Sequence, residues 1–243
     1  MLIEYSVIII FGLLIGNFAT SLYYRLPRNI SICGLSHNKQ GRHPFCSICH
    51  HKLKFYEYLP ILNWFSTLGK CNYCDAHIPY QYLVLELGSV IISYSCFELF
   101  RGITDLYIII FCFGVGCLLN ILIYKEHKFI PHSFTICMVL LGVIYRTLID
   151  QTIVLWLASL STSFIVSLFL LNHKLMSRHI IDYNQYIINI LMLSSIWCPP
   201  EHIIHYAIIV IIIYIFCKSC KKLDIYSLST AVLFCIVFLS HRK

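Results

Sequence analysis

Long apolar segments are the feature that most constrains how this chain can fold. A helix needs about 20 apolar residues to cross the hydrocarbon core of a bilayer. Eight segments approach that length: Leu2–Tyr23, Tyr82–Phe100, Leu106–Tyr124, Phe134–Leu148, Ile153–Leu171, Ile180–Trp197, His202–Cys217 and Ile225–Ser240. The fourth, sixth and seventh of them are short or weakly apolar. Hydrophobic residues make up 59% of the chain and charged residues 12%. The sequence therefore predicts an all-α polytopic membrane protein with about eight transmembrane helices.

Basic residues between these segments predict how the chain is oriented. Eight crossings would leave Arg101, Arg146, Arg242 and Lys243 on one side and all the other basic residues on the opposite side: Arg25, Arg28, Lys39, Arg42, Lys52, Lys54, Lys70, Lys125, Lys128, Lys174, Arg178, Lys218, Lys221 and Lys222. Cytoplasmic loops carry the excess of Lys and Arg, so the richer side is predicted to be cytoplasmic. The net charge of +7 is then explained by topology and anionic lipid. The predicted partner is the bilayer, and no nucleic acid is needed.

Two cysteine pairs interrupt the apolar pattern in a basic loop. Cys46 and Cys49 form one C-x2-C pair, and Cys71 and Cys74 form another. Four thiolates at this spacing predict a structural zinc site, and a reducing cytoplasm would keep them free for metal. Four reduced cysteines or a disulfide pairing are the alternatives, and His50 or His51 could replace one ligand.

These features divide the chain into three predicted parts. They are a first transmembrane helix at 1–24, a cytoplasmic four-cysteine zinc domain at 25–80, and a membrane helical domain at 81–243.

The order of residues around the cysteines resembles one family. Residues 16–27 read GNFATSLYYRLP, and the loop continues with the motifs PFCSIC at 44–49, LPILNW at 59–64, GKCNYC at 69–74, IPY at 78–80 and EL at 86–87. This pattern is similar to the start of type IV prepilin leader peptidases, which are bifunctional membrane aspartyl proteases and N-methyltransferases. The resemblance implies a bacterial inner-membrane protein, prepilin or pseudopilin substrates, and S-adenosylmethionine as methyl donor. It is strong over about the first 90 residues and weakens beyond them.

The resemblance also implies two catalytic aspartates, and this chain departs from the family at both motifs. The first belongs to an Ile-Asp-x5-(Ile/Leu)-Pro-(Asp/Asn) pattern, where Tyr124 takes the place of the acid. The second belongs to a Gly-x-Gly-Asp-x-Lys motif, which here reads HIIDYN at 179–184, so Asp182 is kept while both glycines and the lysine are absent. Two neighbouring carboxylates share a proton and together activate water, whereas a phenol with a reference pKa near 10 stays protonated.

Other carboxylates are weaker candidates for the missing partner. Glu126 lies two residues beyond Tyr124, which on a helix is a rotation of about 200°, so it could serve only if the helix unwinds. Asp224 begins the last segment and has no counterpart in the family motifs. Asp182 itself could be an acid placed at a helix start by the helix dipole.

Three hypotheses for function follow from these observations. The chain is a working prepilin peptidase and methyltransferase, a catalytically degenerate relative that acts as a membrane assembly or binding protein, or an unrelated transporter or scaffold. The ordered motifs in the loop make the third the weakest. The absence of the first aspartate predicts negligible prepilin cleavage.

Overall fold

The computed structural model describes residues 2–30, 44–59, 61–129, 131–149, 193–194, 196–202, 204–206, 208–210, 212–213 and 225–241. Within these ranges the fold is helical, with two isolated antiparallel bridges in place of any sheet. The helices are α1 (Leu2–Arg25), α2 (Leu62–Ser66), α3 (Tyr80–Phe100), α4 (Asp105–His127), α5 (His132–Leu148) and α6 (Ile225–Ser240). Short 3-10 turns cover Leu26–Arg28, Phe55–Tyr58 and Pro200–His202. The chain forms two compact units, Met1–Glu98 and Leu99–Lys243.

Three of the predicted membrane segments are helices long and apolar enough to cross a bilayer, namely those in α1, α3 and α4. The segments at α5 and α6 are shorter apolar helices. Most of the remaining three predicted segments lies outside the described residues, so the count of eight stays a prediction. Helices α1, α3 and α4 each run a few residues beyond their predicted ends, because backbone hydrogen bonding continues where side chains become polar.

Small residues bring α1 and α3 into close contact within the first unit. A Cβ atom added to Gly16 would lie 2.2 Å from Ser89 Oγ, and one added to Gly12 would lie 2.9 Å from the Val90 Cα. Ser89 Oγ donates to the Gly12 carbonyl at 2.7 Å, and Ser93 Oγ donates to the Ile8 carbonyl at 3.1 Å. Glycines four residues apart allow this approach between membrane helices, and serine hydroxyls then bridge them.

Helix α4 is the centre of the second unit and packs against both α5 and α6. Thr104 caps its start by accepting a hydrogen bond from the Tyr107 amide at 3.1 Å, as N-cap residues do. Lys128 ends it in the left-handed conformation at φ 58°, and its amide donates to the Tyr124 carbonyl at 2.9 Å. The helix therefore continues beyond Tyr124 and Glu126 before it stops.

Candidate functional site

The first cysteine pair lies in a tight turn closed by backbone hydrogen bonds. The Cys46 amide donates to the His51 carbonyl and the His50 amide donates to the Cys46 carbonyl, each at 3.0 Å. An antiparallel bridge between Phe45 and Lys52 flanks the turn. The turn is thereby held in one conformation from both sides.

The second pair repeats this arrangement 25 residues later. The Cys71 amide donates to the Ala76 carbonyl at 2.9 Å, and the Asp75 amide donates to the Cys71 carbonyl at 3.0 Å. Lys70 and His77 form the flanking bridge. Each partner stands about 25 positions after its counterpart in the first turn, so the two knuckles are structural equivalents.

The residue after each second cysteine adopts a left-handed backbone. His50 has φ 55° and Asp75 has φ 56°. This conformation is uncommon for residues other than glycine, although Asn, Asp and His are enriched in it. The same left-handed residue therefore follows the second cysteine of both knuckles.

The four thiols converge on one point. Their Sγ atoms all lie within 4.8 Å of one another, and Cys46 Sγ is 3.9 Å from Cys74 Sγ. A tetrahedral zinc ion with bonds of about 2.3 Å would hold its sulfurs about 3.8 Å apart. All four are free cysteines, and the Cys46–Cys74 separation is well above the length of a disulfide bond, about 2.05 Å. The cluster, made of Cys46, Cys49, Cys71 and Cys74, could hold a metal ion.

Contacts within the cluster resist ionisation of the Cys74 thiol. The Ala76 amide donates to Cys74 and lowers the pKa of that thiol, but loss of water contact and hydrogen bonds with the other three thiols raise the pKa to about 12. A divalent cation reverses this preference, since a coordinating thiol is deprotonated outright.

Glu57 ties the loop together beside the cluster. Its side chain is buried and accepts a hydrogen bond from the Lys54 amide at 2.7 Å. Asn72 Nδ2 lies 3.5 Å from its other oxygen, and the Tyr73 hydroxyl also donates to it. The Lys54 amide is the largest cause of a lowered pKa for Glu57, with burial opposing it and the two side-chain donors adding to it. Glu57 is therefore a carboxylate that joins the chain between the two knuckles to the second knuckle.

A cavity of about 490 Å³ adjoins the cluster within the first unit. Its walls come from the end of α1, from both knuckles, from the 55–64 segment and from the start of α3. Four of its polar lining residues are buried: Thr20, Arg25, Glu57 and Glu86. A cavity of this size falls within the range that binds small molecules.

Glu86 connects α3 to the segment between the knuckles. Its Oε2 accepts a hydrogen bond from the Ile61 amide at 2.7 Å. Ile61 has φ 62°, a rare conformation for a β-branched residue, and its amide is held there by the carboxylate. The side chain of Glu86 is 8% exposed.

Tyr124 lies near the end of α4, in the second unit. It is half-buried, its ring centroid is 4.8 Å from that of Tyr226, and Lys128 Nζ is 5.2 Å from its ring centroid. Glu126 lies further along the same helix, is 41% exposed, and has one oxygen 3.9 Å from His127 Nε2. Because α4 does not unwind before His127, Glu126 points away from the direction of Tyr124.

The predicted catalytic partner, Asp182, lies outside the described residues, as does Asp224, so both stay predictions. Sequence reasoning did not find the cavity or the role of Glu86 in holding Ile61. A carboxylate within an apolar, membrane-length segment was the available signal.

Comparisons with known proteins match the part of the chain that contains the four-cysteine cluster. Residues 10–100 match the family model for the bacterial peptidase A24 N-terminal domain. No solved structure matches the chain.

Among relatives, a prepilin leader peptidase/N-methyltransferase of Vibrio cholerae is 27% identical over 146 residues, which cover 58% of this chain and 57% of that protein. The protein of the same name from Pseudomonas aeruginosa is 26% identical over 153 residues, covering 56% and 52%. That of Bacillus subtilis is 32% identical over 82 residues, covering 34% and 30%. The chain thus matches about half the length of the first two.

Proposed function

We propose a function for this chain from its membership of the prepilin leader peptidase/N-methyltransferase family, of which it is a divergent member. The proposal is that it acts on prepilins or pseudopilins in the bacterial inner membrane and retains N-methyl transfer but not leader cleavage. The supporting observation is the location of the family match: residues 10–100 contain the whole four-cysteine cluster and the cavity. The resemblance, in contrast, implies that Tyr124 stands where the family has its first catalytic aspartate.

The four-cysteine cluster is proposed to bind one structural zinc ion. Tetrahedral sets of four sulfurs suit zinc or iron, and a set with all four positions filled by protein leaves no open site for catalysis. The ion would hold the two knuckles together and thereby form one wall of the cavity.

Loss of leader cleavage follows from the chemistry of the proposed pair. Hydrolysis by aspartyl proteases requires two carboxylates that share a proton, and Asp182 would be the only one of the two present. Glu126 is exposed and lies about 200° around the helix axis from Tyr124. It is therefore poorly placed to replace the missing acid.

The methyl donor implied by the family is S-adenosylmethionine, and the cavity suits a molecule of that size. Tyr24, Phe45 and Tyr82 supply aromatic walls, while Asn17, Asn63 and Asn72 supply amides, and all six residues line the cavity. When bound, the donor supplies an activated methyl group. Residues of this chain would enclose it and exclude water.

The cysteine loop is proposed to face the cytoplasm, on the basis of the basic residues in the sequence. Cysteine labelling in intact cells tests this. Gly102→Cys, between α3 and α4, should react with an impermeant thiol reagent, and Phe129→Cys, between α4 and α5, should not. Wild-type protein gives the background from native cysteines, and labelling of Phe129→Cys alone would reverse the orientation.

The function itself is tested with purified protein in lipid, given either an intact prepilin or the same pilin already cleaved. Mass spectrometry should find the intact prepilin unshortened and a methyl group added to the cleaved form when S-adenosylmethionine is present. Efficient shortening of the prepilin would instead indicate a working peptidase. If neither change occurs, the degenerate alternative, a membrane assembly or binding protein, replaces this proposal.

A further inference from the structure

Part of the chain between the two knuckles, residues 61–69, returns to the membrane-length helices of the first unit. The Ile61 amide donates to Glu86 Oε2 on α3 at 2.7 Å. Tyr23 near the end of α1 and Tyr82 near the start of α3 have ring centroids 5.9 Å apart, and tyrosines are enriched at the membrane–water boundary. Glu86 follows Tyr82 by one helical turn, which is about 6 Å along the axis. The 61–69 segment therefore reaches deeper than the level of these tyrosines.

The charges of the loop are placed on either side of this segment. No charged residue lies between Glu57 and Lys70, and residues 61–69 read ILNWFSTLG. Lys54 and Lys70, on the two sides of this stretch, are exposed. Segments that lie in the surface of a bilayer combine Trp, Phe and Leu on one face with Lys or Arg near the headgroups. The sequence of this part of the loop has that composition.

The segment has an inner and an outer face. Asn63, Trp64 and Thr67 line the cavity. Phe65 and Leu68 do not line it, and their side chains are 59% and 81% exposed. Leu68 holds this position with φ 52°, a backbone conformation that is uncommon for a bulky side chain. Two large apolar side chains are therefore presented to the surroundings of the protein.

The polar groups of the segment are satisfied without water. Backbone carbonyls within residues 59–65 accept hydrogen bonds of 2.8–3.3 Å from the amides of Asn63, Phe65, Thr67, Leu68 and Gly69. The hydroxyls of Ser66 and Thr67 both donate to the Asn63 carbonyl, at 3.1 and 2.7 Å. Glu86 accepts from the Ile61 amide at the start of the segment. In lipid, backbone polar groups must find their partners within the protein, and these groups meet that requirement.

We infer that the 61–69 segment lies in the surface of the bilayer on the side of the knuckles, with Phe65 and Leu68 inserted among the lipid chains. Its occupant is lipid, because the segment reaches below the end of α1, carries no charge and leaves only apolar side chains of this size on its outer face. Lys54 and Lys70 would then lie near the phosphate groups. Glu86 would supply the acceptor that water cannot supply to Ile61 there. The inference does not depend on the proposed function.

The test places the photoreactive residue p-benzoylphenylalanine at single positions of the full chain in nanodiscs of phosphatidylethanolamine and phosphatidylglycerol. The excited ketone takes a hydrogen atom from a neighbouring C–H bond and the two carbon radicals join, so mass spectrometry finds a peptide with the mass of one lipid added. Phe65 and Leu68 are replaced in turn. Ile10, which is exposed on α1, is the lipid-facing reference, and Lys52, which is exposed beside the first knuckle, is the matched control in water.

We expect lipid adducts at positions 65 and 68 within about threefold of the yield at position 10 and at least about tenfold above the yield at position 52, because side chains of such segments reach about 5–10 Å into the boundary of the acyl chains. The melting temperature of each labelled chain shows that it is folded. Where one of the two is not, the label is placed at Ser66, which is exposed and lies between them.

Two results would overturn the inference. One is a lipid yield at either position no higher than at Lys52, which would place the segment in water. The other is cross-linking of Phe65 or Leu68 to a second copy of the chain in place of lipid, which would assign the outer face to a protein contact.

Discussion

The four-cysteine cluster and the end of α4 differ in how many of the predicted functional groups each contains. In the first unit, two equivalent knuckles bring four sulfurs within 4.8 Å of one another, and Glu57 and Glu86 tie the surrounding chain together. At the end of α4, the position where the resemblance implies an acid holds Tyr124 in contact with another tyrosine ring. The contrast is between a cluster whose four predicted sulfurs are all present and close together and a helix end where the implied acid is absent.

The largest effect is expected from removing a metal ligand. Cys71→Ser should abolish zinc binding and unfold the loop, because structural zinc contributes about 10–16 kcal/mol in zinc-finger peptides. Metal analysis of purified protein should find one zinc per wild-type chain and almost none in the variant. Cys137→Ser is the control, since Cys137 is an exposed cysteine on α5 and its loss should leave the metal in place. Less than half an equivalent of zinc in wild-type protein would contradict the proposed site.

The second largest effect is expected on prepilin cleavage, when an acid is placed at position 124. Wild-type protein should leave a prepilin uncut, and Tyr124→Asp should cut it partially if Asp182 can pair with the new carboxylate. Mass spectrometry of the substrate measures this. Tyr124→Asn has nearly the same size as the aspartate variant without its charge and should stay inactive. If wild-type protein already cuts efficiently and Asp182→Asn stops it, the comparison between the two regions fails, and Glu126→Gln becomes the next variant to examine.

Packing of α1 on α3 should be sensitive to a single methyl group. Gly16→Ala would place a Cβ atom 2.2 Å from Ser89 Oγ and 2.9 Å from the Glu86 Cα, so the helices must separate. Overpacking of this kind costs about 1–3 kcal/mol, which thermal unfolding in lipid should detect. Gly102→Ala is the matched control, because nothing lies within 4 Å of a Cβ atom there. Equal melting temperatures for the two variants would argue against this helix contact.

The smallest effect is expected from Glu57, and it should depend on pH. The pKa of Glu57 is lowered in the folded protein, so its stabilising contribution is present above the ordinary glutamate pKa of about 4.3. It is lost as the pH falls through the lowered folded value. Glu57→Gln should therefore destabilise the loop by about 1 kcal/mol near neutral pH, and the gap to wild type should narrow in acid. Denaturant unfolding at pH 7 and pH 3.5 measures the free energy of unfolding of both proteins. A difference between them that does not change with pH would contradict the lowered pKa of Glu57.

Patterns along the chain were enough to predict much of what the structure contains. The apolar segments predicted the helices at α1, α3 and α4 to within a few residues, because a membrane-length apolar run has few other ways to satisfy its backbone. The C-x2-C spacing predicted four sulfurs near one point, because each short turn aims two of them together. Both are local properties, and local sequence specifies them.

Tertiary structure decided the features that join distant segments. The hydrogen bond from Ile61 to Glu86 joins residues 25 positions apart, and that from Ser89 to the Gly12 carbonyl joins residues 77 apart. No periodicity records such pairings, so the sequence marked Glu86 as a carboxylate in an apolar segment and as part of the family-like motif at 86–87, without its partner Ile61. The sequence alone determined three membrane-length helices, the cysteine quartet and the tyrosine at position 124. The cavity exists because α1, the knuckles and α3 meet, and their meeting is a property of packing between segments that do not adjoin in the chain.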